Sequence, residues 1–127
     1  MTSVLFVALG GAFGATLRYL LSGVINRYFE TSFPAGTLGV NLIGCFAVGL
    51  LWEPLANTAL SPQIRTFFLI GVLGAFTTFS TYGIESVNLV RAGELRLALL
   101  NLILSNVLGI AFVLLGLGIS RLASSAV

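Results

Sequence analysis

Residues Phe76–Gly83 read FTTFSTYG, and they fall inside one of the most hydrophobic stretches of the chain. Four Ser and Thr hydroxyls and the Tyr82 phenol sit within six residues. A Ser or Thr in a helix can return its hydroxyl to the carbonyl four residues back, which bends the helix. Here the β-branched residues Thr77, Thr78 and Thr81 lie between Gly74 and Gly83, a composition that favours a local break over a plain bend. Non-helical backbone at membrane depth is tolerated only where it is buried in protein or lines a site. Carbonyls freed at such a break can coordinate a cation; freed N–H groups and hydroxyls can hold an anion.

The surroundings justify speaking of membrane depth. Of 127 residues, 57% are hydrophobic and 8% charged, with a mean hydropathy of +1.08. A soluble domain carries about 25% charged residues, so this composition specifies an integral membrane protein built as a single domain, residues 1–127. The charges are six Arg and four Glu, with no His, Asp or Lys. A net charge of +2 scattered along the chain is no nucleic-acid footprint. Without His, Asp, a metal-ligand cluster or a nucleophile–base pair, the sequence points away from an enzyme. Cys45 is the one cysteine; it excludes an internal disulfide and reads as an apolar packing residue.

A transmembrane helix needs about 20 mostly apolar residues, and four segments qualify, at about 4–25, 35–52, 66–89 and 95–122. The first has no basic region before it and is read as a retained span rather than a signal peptide. The connections NRYFETSFP, EPLANTALSPQIR and RAGELR hold most of the charge and leave no room for a soluble domain. Orientation follows the Arg bias of the loops. Arg65 and Arg121 fall on one side, and Arg27, Arg91 and Arg96, with Arg18 close by, on the other. So small a bias is compatible with one fixed orientation or with insertion both ways and an inverted dimer. Gly10 and Gly14 form a GxxxG pair, and Gly71, Gly74 and Ala75 crowd span 3. Such residues favour close helix contact and oligomerisation.

Polar groups within spans are costly and usually face a partner or a water-filled cavity. In span 1, Arg18 shares a helical face with Gly11 and with Gly14 or Ala15. It either snorkels to the interface or acts as an anion-attracting charge or a carbonyl-binding lock. In span 2, Thr37, Asn41, Gly44 and Val48 share a face; Asn41 can bond another helix or offer an amide N–H to a dehydrated anion. In span 4, Asn101, Ser105, Gly109, Phe112 and Gly116 form a stripe, a polar track opening towards RAGELR. Asn106 lies about 100° round that helix and can reach a neighbouring helix instead. In span 3, Phe79 and Tyr82 point roughly the same way. Their rings serve core packing or turn positive edges into a narrow path.

These marks together resemble the fluoride channels of the Fluc/CrcB family. They are GGAFGATLRY in span 1, GTLGVNLIG in span 2, GxxGAFTTFSTYG from Gly71 and NxxxSNxLG from Asn101, and they cover essentially the whole chain. The resemblance implies an all-α membrane protein of four helices per subunit, the third broken mid-membrane, in an antiparallel, dual-topology homodimer. It implies two pores that export toxic fluoride passively across the bacterial cytoplasmic (inner) membrane. It further implies a structural Na⁺ on the two-fold axis, held by the backbone carbonyls of Gly74 and Thr77. Asn41 then becomes a pore-lining donor, Phe79 the first residue of a two-ring box and Tyr82 the second. Ser80, Thr81, Ser105 and Asn101 join the polar track, and Arg18 stands near the vestibule. One departure is plain: the second box position is commonly Phe in this family and here is Tyr82. The partners implied are fluoride, membrane lipid and a second copy of the chain.

The physics agrees with that implication. Fluoride is small and strongly hydrated, so its path must replace water with amides, hydroxyls and ring edges, in a lumen too narrow for chloride. The alternative is a small dual-topology multidrug or cation exporter. That needs a carboxylate within the membrane; the spans supply only Glu85, and span 1 carries Arg18. A structural or assembly subunit, the third class, leaves the polar faces without a purpose.

Overall fold

The computed structural model describes residues 2–57 and 60–125, and among these every regular element is helical. Four segments are long and apolar enough to cross a membrane: Ser3–Tyr28, Ala35–Ala56, Pro62–Arg91 and Leu95–Ser125. Helix α1 covers Thr2–Tyr28 and α2 covers Ala35–Asn57. The third span consists of α3 (Pro62–Thr66), a π-helical segment (Phe67–Leu73), α4 (Gly74–Phe76) and α5 (Phe79–Arg91). Helix α6 covers Leu95–Ser125.

Local chemistry sets the ends of these elements. Ser61 precedes Pro62 and its hydroxyl accepts from the Ile64 N–H, so α3 starts with a cap and with a proline at a position that needs no N–H. After α5, Gly93 takes φ +80°. Its N–H reaches the Val90 carbonyl and the Glu94 N–H reaches Leu89, a Schellman ending that explains the glycine in RAGELR. Asn26, in the last turns of α1, accepts from the Gly36 N–H at 2.7 Å and so ties α1 to the start of α2.

The second span runs further than its sequence suggests. Glu53 and Pro54 were assigned above to a loop, yet α2 continues through both to Asn57. Leu55 in this last turn is buried, and Glu53 accepts from Arg121 of α6 at 2.7 Å. Packing on α6 outweighs the unfavourable proline.

Close glycine contacts hold the bundle together. Helix α2 packs along α6, and α1 packs on the π-helical segment and on α2. A Cβ at Gly10 would lie 2.6 Å from the Phe67 carbonyl oxygen and 3.0 Å from the Gly71 Cα; one at Gly14 would collide with the Val72 carbonyl. Gly49 meets Val113 in the same way, and Gly116 meets Phe46 and Leu50. The GxxxG pair of α1 therefore serves packing inside one chain. Buried apolar side chains are few, among them Val40, Leu73, Phe76 and Leu89, while Leu9, Phe13, Ile70, Val107 and Ile110 point outward. That inversion suits a solvent of lipid, in which apolar contact gives helices no special drive to associate.

Candidate functional site

Two residues interrupt the third span. Thr77 (φ −84°, ψ 156°) and Thr78 (φ −147°, ψ 115°) are extended between α4 and α5. Thr77 remains attached to the preceding turn, its N–H and hydroxyl both reaching the Leu73 carbonyl, at 3.2 and 3.1 Å. Thr78 caps the following helix: its hydroxyl accepts from the Thr81 N–H and donates to Thr81 Oγ1 at 2.9 Å. Ser80 Oγ lies 3.4 Å from the same hydroxyl.

The backbone of Thr78 has lost its helical partners, and Asn41 of α2 replaces both. Asn41 Oδ1 accepts from the Thr78 N–H at 2.7 Å, and its Nδ2 donates to the Thr78 carbonyl at 3.0 Å. One side-chain amide thus satisfies a donor and an acceptor that the extended conformation leaves open. Gly44, one turn further on, leaves room for Thr77 and Phe76.

Arg18 of α1 approaches from the other side. Its Nη1 lies 3.4 Å from the Thr77 carbonyl, a long contact. Of the readings open for Arg18, snorkelling to the interface does not describe this inward course. The Thr77 carbonyl therefore faces positive charge.

A cavity of about 360 Å³ opens against the interruption. Asn41, Gly74, Thr77, Phe79, Tyr82 and Ser105 line it, together with Thr78, Cys45 and Asn106. Six of the ten expected site residues thus meet on one wall. The Phe79 and Tyr82 rings lie 5.3 Å apart, tilted by 51°; Phe79 is 82% exposed and Tyr82 8%. Ser80 and Thr81 are not part of this lining; they sit beside the Thr78 cap. Asn101 is fully buried behind it, where its Nδ2 donates to Ser86 Oγ at 2.9 Å and its Oδ1 accepts from Ser105 at 3.4 Å. Ser86 in turn donates to the Tyr82 carbonyl. The lower part of the α6 stripe, Gly109 and Gly116, packs on α2.

Three participants were not among the expected site residues. Thr78 stands directly before a helix and three residues before Thr81, a capping pattern hidden among neighbouring hydroxyls. Asn106 reaches a neighbouring helix, one of the two courses open to it: Nδ2 donates to Tyr82 Oη at 3.1 Å and to the Leu102 carbonyl at 2.8 Å. Glu85 accepts from Thr37 at 2.8 Å and borders a second cavity of about 870 Å³, with Glu30 and Glu94. No group of three or more His, Cys, Asp or Glu occurs among the described residues, so a cation near the interruption would be held by neutral oxygens. Carbonyls of that kind suit a hard cation.

Fold and site together define an integral membrane protein whose polar groups gather at an interruption of one span. Residues 5–117 match the family model described as CrcB-like protein, Camphor Resistance (CrcB). The chain is 46% identical over 128 residues to a protein of Maridesulfovibrio salexigens named fluoride-specific ion channel FluC, covering 98% of this chain and all of that one. A protein of the same name from Aquifex aeolicus is 48% identical over 117 residues, 91% of this chain and 94% of its own length. One from Desulforapulum autotrophicum is 44% identical over 118 residues, 92% and 94% of the two chains. The chain belongs to the CrcB family. The names of these relatives describe channels, not enzymes.

Proposed function

We propose that the chain is a fluoride-selective channel of a bacterial inner membrane, acting as an antiparallel homodimer with two pores through which fluoride moves passively. The observation that carries this reading is the cavity at Thr77–Thr78, whose expected pore residues are all uncharged. Hydroxyls, an amide and ring edges can substitute for the water around a small anion, whereas a full charge would retain it. Family membership and the names of the relatives support fluoride as that anion.

In this reading Asn41 shapes the interruption and keeps one amide hydrogen for the path, while Phe79 and Tyr82 present ring edges. Ser80, Thr81, Ser105 and Asn101 form the polar track beyond. The Gly74 and Thr77 carbonyls from two copies would hold the structural Na⁺, which supplies positive charge at the dimer axis. The extended backbone at Thr77, which takes its carbonyl out of the helical pattern, supports such an ion; the Arg18 guanidinium 3.4 Å from that carbonyl acts against it. The near balance of Arg between the two sides supports dual insertion.

Fluoride efflux from liposomes containing the purified protein tests the reading. Efflux without a proton gradient is expected, with chloride excluded. No efflux, or efflux strictly coupled to protons, would overturn it.

A further inference from the structure

We propose that Tyr82 contributes a true hydrogen-bond donor to the anion path, and that Asn106 is the residue that positions it. This rests on the channel reading above. The argument turns on the direction of two hydrogen bonds. Asn106 has one polar atom against both the Leu102 carbonyl, at 2.8 Å, and Tyr82 Oη, at 3.1 Å. A carbonyl only accepts, so that atom must be the amide nitrogen, and its two hydrogens serve the two contacts. Tyr82 Oη is therefore the acceptor, and its own proton points elsewhere.

That proton has no acceptor among the described residues, although the side chain is 8% exposed and lies on the cavity wall. The other hydroxyls along this wall are already committed to protein acceptors. Thr77 donates to Leu73, Thr78 to Thr81 and Ser105 to Asn101. Tyr82 alone of these four keeps a free O–H at the cavity. Hydrogen bonds to an ion are shorter and about twice as strong as neutral ones, so a small hard anion is the ligand this donor suits. A phenylalanine here would offer only a ring edge.

Tyr82→Phe removes the donor and keeps the ring. With the protein in liposomes, the fluoride concentration giving half-maximal flux should rise about tenfold in this variant, the loss of one ion-directed hydrogen bond. In detergent, fluoride but not chloride at equal ionic strength should shift the near-ultraviolet tyrosine absorption of the unaltered protein. Tyr82→Phe should abolish the shift, since Tyr19 and Tyr28 are exposed. Asn106→Leu should weaken both readouts while Tyr82 is retained. Combined with Tyr82→Phe it should add nothing further to the half-saturation. An unchanged half-saturation in Tyr82→Phe beside a conducting unaltered protein would overturn this inference and leave the channel reading standing. So would a shift that persists in Tyr82→Phe, or strictly additive effects in the double variant. No fluoride flux from the unaltered protein would remove the channel reading, and this inference with it.

Discussion

Asn41 commits both ends of its amide to Thr78, and its substitutions separate two properties. Asn41→Ala leaves a buried N–H and a carbonyl unpaired. At about 1–3 kcal/mol for each such group, unfolding in detergent should show a loss of about 2 kcal/mol or more. Asn41→Asp keeps an acceptor for the Thr78 N–H but faces the Thr78 carbonyl with a negative oxygen, beside the proposed anion path. It should abolish fluoride efflux, as should Phe79→Ile, while the dimer still assembles; retained efflux in both would mean the path runs elsewhere. Thr78→Val should cost about 1 kcal/mol through loss of the α5 cap, and Thr78→Ser much less. At this scale the sequence was legible in kind but not in direction. The polar residues of spans 2, 3 and 4 stood out against an apolar background. Which partner Asn41, Asn101 and Asn106 would choose depends on helix rotation and separation, which a single helical face does not encode.

Some helix glycines are in close backbone contact and others face open space. A Cβ at Gly14 or Gly116 meets a neighbouring backbone that cannot yield, whereas at Gly11 and Gly118 nothing lies within 4 Å. Gly14→Val and Gly116→Val should each destabilise by about 1–3 kcal/mol or more, measured by thermal unfolding in detergent, and Gly11→Ala and Gly118→Ala should be close to neutral. Gly93→Ala should cost about 1 kcal/mol because φ +80° is unfavourable for any residue with a Cβ. Hydropathy alone located the four spans, since length and composition suffice for that. It did not disclose the π-helical segment at Phe67–Leu73, because FFLIGVL is equally apolar wound either way. What distinguishes this segment is the backbone approach of α1 at Gly10 and Gly71, a tertiary effect.

For the whole molecule, the near balance of Arg between the two sides predicts how orientation can be set. Adding cations at Ser124→Arg and Ser125→Arg should bias insertion one way, and adding them at Thr31→Arg and Ser32→Arg the other. If the working unit is an inverted dimer, each variant expressed alone should lose fluoride efflux and the two together should recover it. Full activity of either alone would exclude that assembly. The Glu53–Arg121 pair, with Arg121 largely exposed, contributes at most about 1 kcal/mol, so its worth lies in tethering the end of α2 to α6. The clamp between Asn41 and Thr78 has a further consequence, for biogenesis. Every group in it belongs to one chain, so the interruption can form as soon as the second and third spans meet in the lipid. A newly inserted copy need not wait for its mate before its most polar backbone is sheltered. If the protein pairs as proposed, folding and pairing can then proceed as separate events in time, and a surplus of either orientation would persist as intact single subunits.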